Sequence, residues 1–194
     1  MSHGKGTEAW DVDGNRFLDF AAGIAVCATG HAHPRVVKAV QDAAGKFLHI
    51  SSDYWHEEFT SLCERLSALA PMSEPGMVFI CQSGTEAVEA AIKFARFTTK
   101  REKIVFCEHG YHGLTMGALS LNGEEIFREG FGPLIPGCSP VPFNDIAALE
   151  RALSNKDVAA FIVEPIQGKG VNLPDDNYLP EAERLCKKYG TLLV

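Results

Sequence analysis

The chain has 194 residues, the size of one domain or a little more. Hydrophobic residues make up 46% and charged ones 22%, an ordinary globular composition that excludes a disordered or collagen-like chain. Eighteen basic residues against 25 acidic ones give a net charge of -7, which argues against nucleic-acid binding by counterion release, and no apolar run approaches the ~20 residues that span a bilayer.

In chain order, Thr7 to Phe20 reads as a hairpin, TEAWDV and RFLDF joined around the turn signal Asp13-Gly14. Gly23 to Pro34 is rich in glycine and histidine and reads as a loop. Pro34, at a first helical turn, opens a helix to about Phe47. A second helix runs from about Glu57 to Ala70 and stops at Pro71. From there strands and helices alternate. MVFIC (77–81) reads as a buried strand, SGTEAVEAAIKFARF (83–97) as a helix and KIVFC (103–107) as a strand. A short helix is expected from Leu114 to Leu121, a loop over 122–142, and a helix capped by Asn144 to about Leu153. VAAFIV (158–163) is a strand, YLPEAERLCKKYG a helix with a glycine stop, and TLLV (191–194) the start of another strand. Short apolar strands between amphipathic helices predict an α/β fold, a mostly parallel sheet covered on both faces. An ending inside a strand leads us to expect a chain truncated at its C-terminus.

The opening MSHGKGTEAW lacks the apolar core of a signal peptide, so a soluble, cytoplasmic protein is expected, without membrane or nucleic-acid partners. The six cysteines, at 27, 63, 81, 107, 138 and 186, form no CxxC clip and read as reduced, mostly buried side chains. His31 with His33, and His109 with His112, have spacings a metal can use. Both pairs sit beside Gly or Pro without neighbouring Cys or carboxylate ligands in sequence, so they read as loop histidines and no metal is expected.

Three segments carry candidate chemistry. Gln82-Ser83-Gly84-Thr85-Glu86 joins an expected strand to a helix, and Ser83 to Glu86 fits the S-x-x-E capping box. Gly84 admits a ligand to the backbone, first-turn amides point outward, and Ser83 and Thr85 add hydroxyls; this is a phosphate seat or simply a capped helix. Behind it Val88, Ala91, Ile92 and Ala95 form an apolar stripe, with Glu89 and Lys93 as an i,i+4 pair on the solvent side. In Glu108-His109-Gly110-Tyr111-His112-Gly113 two glycines bracket Tyr-His, a way to hold a ring over a planar ligand or an ordinary turn. In Glu164-Pro165-Ile166-Gln167-Gly168 a carboxylate ends an apolar run, where it needs a partner. All three follow the carboxyl ends of expected strands, where open α/β sheets bind ligands. A planar, phosphorylated ligand fits that placement. No Walker loop and no G-x-S-x-G elbow occurs.

With these segments in their order and spacing, the chain resembles the class III aminotransferases, pyridoxal-phosphate (PLP) enzymes of fold type I. DVDGNRFLDFAAGIAVCATGHAHPRV, SGTEAVEAAIKFAR, HGYHG and FIVEPIQG carry the resemblance over essentially the whole chain. It implies that Gly84 and Thr85, beside Ser83, bind the PLP phosphate. It also implies that Tyr111, next to His112, stacks on the pyridine ring, and that Glu164 and Gln167 line the site. Residues 1–50 would form an N-terminal hairpin, loop and helix belonging to the small domain and substrate channel. Residues 51–194 would be the N-terminal part of the PLP-binding large domain. Partners implied are an amino donor and a 2-oxo acid acceptor, with a homodimer when full length.

Two departures bear on the donor. Acetylornithine and ornithine types carry Arg directly after the His-Gly pair, where this chain has Leu114, and many members read EPIQGEG where this chain has Lys169. Both weaken a reading as an acetylornithine or ornithine enzyme, and the apolar Leu114 suits a donor lacking a carboxylate there, such as a diamine or another ω-amine. The family's Asp-Glu-x-Gln segment and its Schiff-base lysine lie outside the chain, and none of its ten lysines matches that position. No catalytic residue is therefore assigned within it, and the chain alone is expected to be inactive. Rival readings are a class III mutase, racemase or decarboxylase, or a non-catalytic binding or dimerising short form.

Overall fold

Val105 and Cys107 alternate with Ile104 and Phe106 along one strand, and all four are buried. A strand apolar on both sides must be covered on both sides, and the computed structural model, which describes residues 1–72 and 74–194, has that arrangement. The chain divides into two compact units, Met1–Val78 and Phe79–Val194.

In the first unit, β1 (His3–Lys5), β2 (Glu8–Trp10) and β3 (Arg16–Leu18) form an antiparallel sheet. The hairpin read from sequence is β2–β3, with Ala9 opposite Phe17. Its turn is closed by Asp11, whose Oδ1 accepts from the amides of Asp13 (3.0 Å) and Asn15 (2.9 Å). A single turn, α1 (Ala22–Ala25), follows with left-handed dihedrals at Gly23 and Ile24. Asp19 supports it by accepting from the amides of Ala21 and Ala22, and its other oxygen meets His31 Nε2 at 2.6 Å. Then come α2 (Pro34–Ala44) and α3 (Glu57–Leu69), both close to expectation.

In the second unit, α4 (Gly84–Thr99) precedes β4 (Lys103–Cys107), α5 (Met116–Leu119), α6 (Glu125–Arg128) and β5 (Cys138–Val141). After these come α7 (Ile146–Leu153), β6 (Val158–Ile162), α8 (Tyr178–Tyr189) and β7 (Leu192–Leu193). The four strands form a parallel sheet in the order β5-β4-β6-β7. On one face Ile104, Phe106, Ala160 and Ile162 pack with Ile92 and Ala95 of α4 and with Leu121. On the other, Val105, Cys107 and Phe161 pack with Leu149 and Leu153 of α7 and with Ala182, Leu185 and Cys186 of α8. All six cysteines are free, but against expectation only Cys107 and Cys186 are buried, the other four being half-buried. Burial pushes the Cys107 thiol up to about 11 and Cys186 to about 12.

Three further expectations need correcting. Residues 77–81 are not a strand: they pair with no neighbour among the described residues, and Met77 and Phe79 are exposed. An apolar run becomes a strand only where another backbone completes its hydrogen bonds. The segment 122–142 is not all loop, since it holds α6 and β5. As an edge strand with only Val141 buried, β5 has no apolar run to announce it. The cap of α7 is Asp145, which accepts from Ala148 N at 2.8 Å. Asn144 instead takes φ +68° and ties this corner to the 173–175 segment through Leu173 O (3.2 Å) and Asp175 N (3.0 Å). No helix among the described residues is long and apolar enough to cross a membrane.

Candidate functional site

The first turn of α4 is built as its capping box predicts, with one shift. Ser83 Oγ accepts from Glu86 N (3.4 Å), while the Glu86 carboxylate reaches back to Gln82 N (2.6 Å), one residue beyond the cap. The amides of Gly84 and Thr85, orphaned by helix geometry, meet no acceptor among the described residues. A Cβ built on Gly84 would meet nothing within 4 Å, so the chain is uncrowded on the side-chain side of this residue. Partial positive charge from the helix dipole concentrates there.

Against this turn lies the segment that ends the HGYHG loop. Thr85 Oγ1 is 2.7 Å from Thr115 Oγ1 and accepts from Thr115 N at 3.3 Å. Gly113, at φ +125°, packs so closely that a Cβ there would sit 2.6 Å from Thr85 Cβ. Only glycine satisfies both the dihedral and the approach.

The loop itself is held by buried polar side chains. Fully buried Asn122 accepts from His112 N (2.8 Å) and donates to Gly113 O (2.9 Å). Glu164 accepts from Tyr111 N through one oxygen (2.9 Å) and from Gly168 N through the other (2.8 Å). The carboxylate at the end of β6 thus finds two backbone amides rather than a cation. Gln167, also buried, donates to Glu108 O (2.7 Å) and accepts from Asn172 Nδ2 (2.7 Å). Both ends of its amide are used inside the protein.

Tyr111 is 40% exposed, its ring edge-on to Phe127 at 5.3 Å. His112 is buried, and its Nε2 has no hydrogen-bond partner among the described residues. Burial holds this imidazole below the usual histidine pKa, with the Glu164 carboxylate opposing the shift. At the rim, His109 Nδ1 lies 2.6 Å from Glu124, and Lys169 Nζ is 3.6 Å from the same carboxylate and 4.8 Å from the Phe127 ring centre. The seven residues singled out from sequence therefore fall into one connected assembly. Ser83, Gly84, Thr85 and Tyr111 face outward, whereas His112 and Gln167 lie beneath.

Sequence reasoning missed Asn122, Thr115 and the role of Glu89. Glu89 does not pair with Lys93; its Oε1 accepts from Thr115 Oγ1 (2.5 Å), Gly117 N (2.8 Å) and Ala118 N (3.2 Å). A signal was present, because Thr85 and Glu89 are spaced i,i+4 and so share a face of α4.

The architecture matches that of known transaminases. The ornithine aminotransferase of Toxoplasma gondii aligns with a TM-score of 0.92 at 34% identity, over 99% of this chain and 47% of that one. A PLP-bound amine transaminase from an uncultivated Pseudomonas species aligns with a TM-score of 0.89 at 26% identity, over 99% and 50%. The fold is that of PLP-dependent transferases of fold type I. In sequence, the acetylornithine aminotransferase of Methanopyrus kandleri is 44% identical over 98% of this chain and 49% of its own length. That of Bacillus anthracis is 45% identical over 98% and 49%. The chain spans about half the length of the curated relatives it matches. The family model for aminotransferase class-III matches residues 1–194, and the chain belongs to that family.

Proposed function

We propose that the protein is a PLP-dependent aminotransferase moving an amino group from an ω-amine or amino acid to a 2-oxo acid. In this reading Ser83, Gly84, Thr85, Tyr111, His112, Glu164 and Gln167 form this chain's share of the cofactor site. The observation that carries it is the first turn of α4, with two amides that meet no acceptor among the described residues and the Thr85 side chain beside them.

A phosphate fits these residues: the amides supply donors, the helix end supplies positive potential, and Gly84 leaves room for close approach. The exposed ring of Tyr111 is the surface for a planar group. When bound, PLP supplies an electron sink for the substrate carbon. The protein's part is positional. Glu164 joins the Tyr111 loop to the 164–168 turn, Gln167 and Asn122 hold that loop from beneath, and burial keeps His112 neutral at ordinary pH.

The relatives named acetylornithine and ornithine aminotransferases support a donor that reacts at a terminal amine. Leu114, exposed beside the seat, offers no charge to a carboxylate, and Lys169 is paired with Glu124. We therefore favour a donor without a carboxylate at that point, such as a diamine. A higher kcat/KM for a terminal diamine than for N-acetylornithine, with a 2-oxo acid acceptor, supports this; the reverse order refutes it. Residues 1–50 are assigned to the small domain and substrate channel on the family resemblance alone, as is a homodimer. Six free thiols support a reducing, cytoplasmic setting.

The test of the seat is Thr85→Val in the full-length protein, which keeps shape and removes a hydroxyl beside a charged group. A hydrogen bond to a charged partner contributes about 1.5–3 kcal/mol, so PLP retention after dialysis should fall by roughly tenfold or more. A mutant that retains PLP as well as the parent shows the seat to be misplaced.

A further inference from the structure

We propose that Glu89 is a positioning residue for the phosphate seat, acting on Thr85 through Thr115. The proposal rests on the reading of the first turn of α4 as that seat.

A glutamate on the flank of a helix ordinarily reaches solvent or a lysine four residues on. Glu89 does neither: one of its oxygens collects three donors, the Thr115 hydroxyl and the amides of Gly117 and Ala118. Those amides open α5, so the carboxylate of α4 caps the neighbouring helix. The fit excludes a side chain at Gly117, where a Cβ would collide with the Glu89 carboxylate. Thr115, fixed in this way, meets Thr85 twice, through its hydroxyl at 2.7 Å and its amide at 3.3 Å. The side chain of Thr85 therefore takes its rotamer from a turn that Glu89 anchors, one helical turn below the amides that face the ligand.

Hydroxyl polarity follows from the acceptor. The Thr115 hydroxyl donates to Glu89, so without a ligand the single Thr85 proton points to Thr115. A phosphate at the seat takes that proton, and Thr115 N still donates to the Thr85 oxygen and holds its rotamer. A carboxylate three hydrogen bonds from a phosphate is in itself repulsive. Three donors on one oxygen quench that charge while keeping the anchor. Glutamine accepts the same three donors through its amide oxygen, so shape rather than charge is what the seat needs.

The experiment measures equilibrium binding of PLP and of pyridoxal, its phosphate-free counterpart, to the apoprotein by absorbance. Glu89→Ala should weaken PLP about tenfold and pyridoxal by no more than about twofold, because only the phosphate end depends on the seat. Glu89→Gln should stay within about threefold of the parent for both. If Glu89→Ala does not fold, Thr115→Val decides. It removes only the hydroxyl link, leaves the capped amides in place, and should weaken PLP several-fold with pyridoxal unchanged. Equal losses for both aldehydes overturn the proposal, since a general structural role predicts them. So does a Thr115→Val protein that binds PLP as the parent does, or a Glu89→Gln protein as weak as Glu89→Ala. Thr85→Val separates the layers. If it binds PLP normally the seat itself is wrong, whereas if it alone weakens PLP, only the Glu89 link falls.

Discussion

Asn122 is the residue whose loss should most disturb the loop carrying Tyr111 and His112. Its side chain accepts from His112 N and donates to Gly113 O, at 2.8 and 2.9 Å, and it is fully buried. His112 and Gly113 are themselves buried, so water cannot replace either bond. Truncation in Asn122→Ala leaves one donor and one acceptor stranded. At about 1–3 kcal/mol for each buried group left unpaired, the loss is roughly 2–6 kcal/mol. Urea unfolding followed by circular dichroism should show a lower midpoint at unchanged slope. Asn122→Asp is the sharper variant. It keeps the acceptor for His112 but sets a carboxylate oxygen against the Gly113 carbonyl in a buried site, and it should be no more stable than the alanine protein. An alanine protein within about 0.5 kcal/mol of the parent, the range of an ordinary surface change, refutes the reasoning. So does an aspartate protein as stable as the parent.

Tyr111→Phe should leave PLP binding close to the parent's, because the Tyr111 hydroxyl has no partner among the described residues, while Tyr111→Ala should weaken it by about 0.5–1.5 kcal/mol beyond lost area. Equal damage in a PLP titration would assign the role to the hydroxyl instead. His112 should make stability depend on pH. Its folded pKa is depressed by burial below the ordinary 6.5, so the unfolded chain takes up the proton first as pH falls. Its contribution is complete above pH 6.5 and is lost as pH drops through the window beneath. His112→Gln should flatten that part of the stability-against-pH curve, and an unchanged slope would refute the assignment.

What the sequence disclosed depended on whether the forces at a position were local. The α4 cap was legible because Ser83 and Glu86 act within one turn, and β4 and β6 because both their faces are covered. Residues 77–81 carry the same apolar signature as β4, yet a run of side chains does not say whether a backbone partner stands alongside. β5 is the converse, a paired strand with little apolar content. At the candidate site, Thr85 and Tyr111 were singled out from their neighbours in sequence. Asn122 was not, since its partners lie ten and nine residues back, across a turn no local rule predicts. Glu89 was misassigned for a different reason: a lysine four residues away offered a local explanation, and a threonine 26 residues away supplied the actual partner.

The proline in β5 decides how this sheet can grow. Ile104 and Glu108 donate to the carbonyls of Gly137 and Val141, so strand alternation turns the backbone of Pro140 to the outer side of β5. A proline there has no N–H to offer an incoming strand, which blunts that margin against edge-to-edge aggregation. The β7 margin has no such block in Leu192–Leu193, whose side chains are each 40% exposed. Any backbone that extends this sheet is thereby directed to the β7 side, and stray association across β5 is disfavoured.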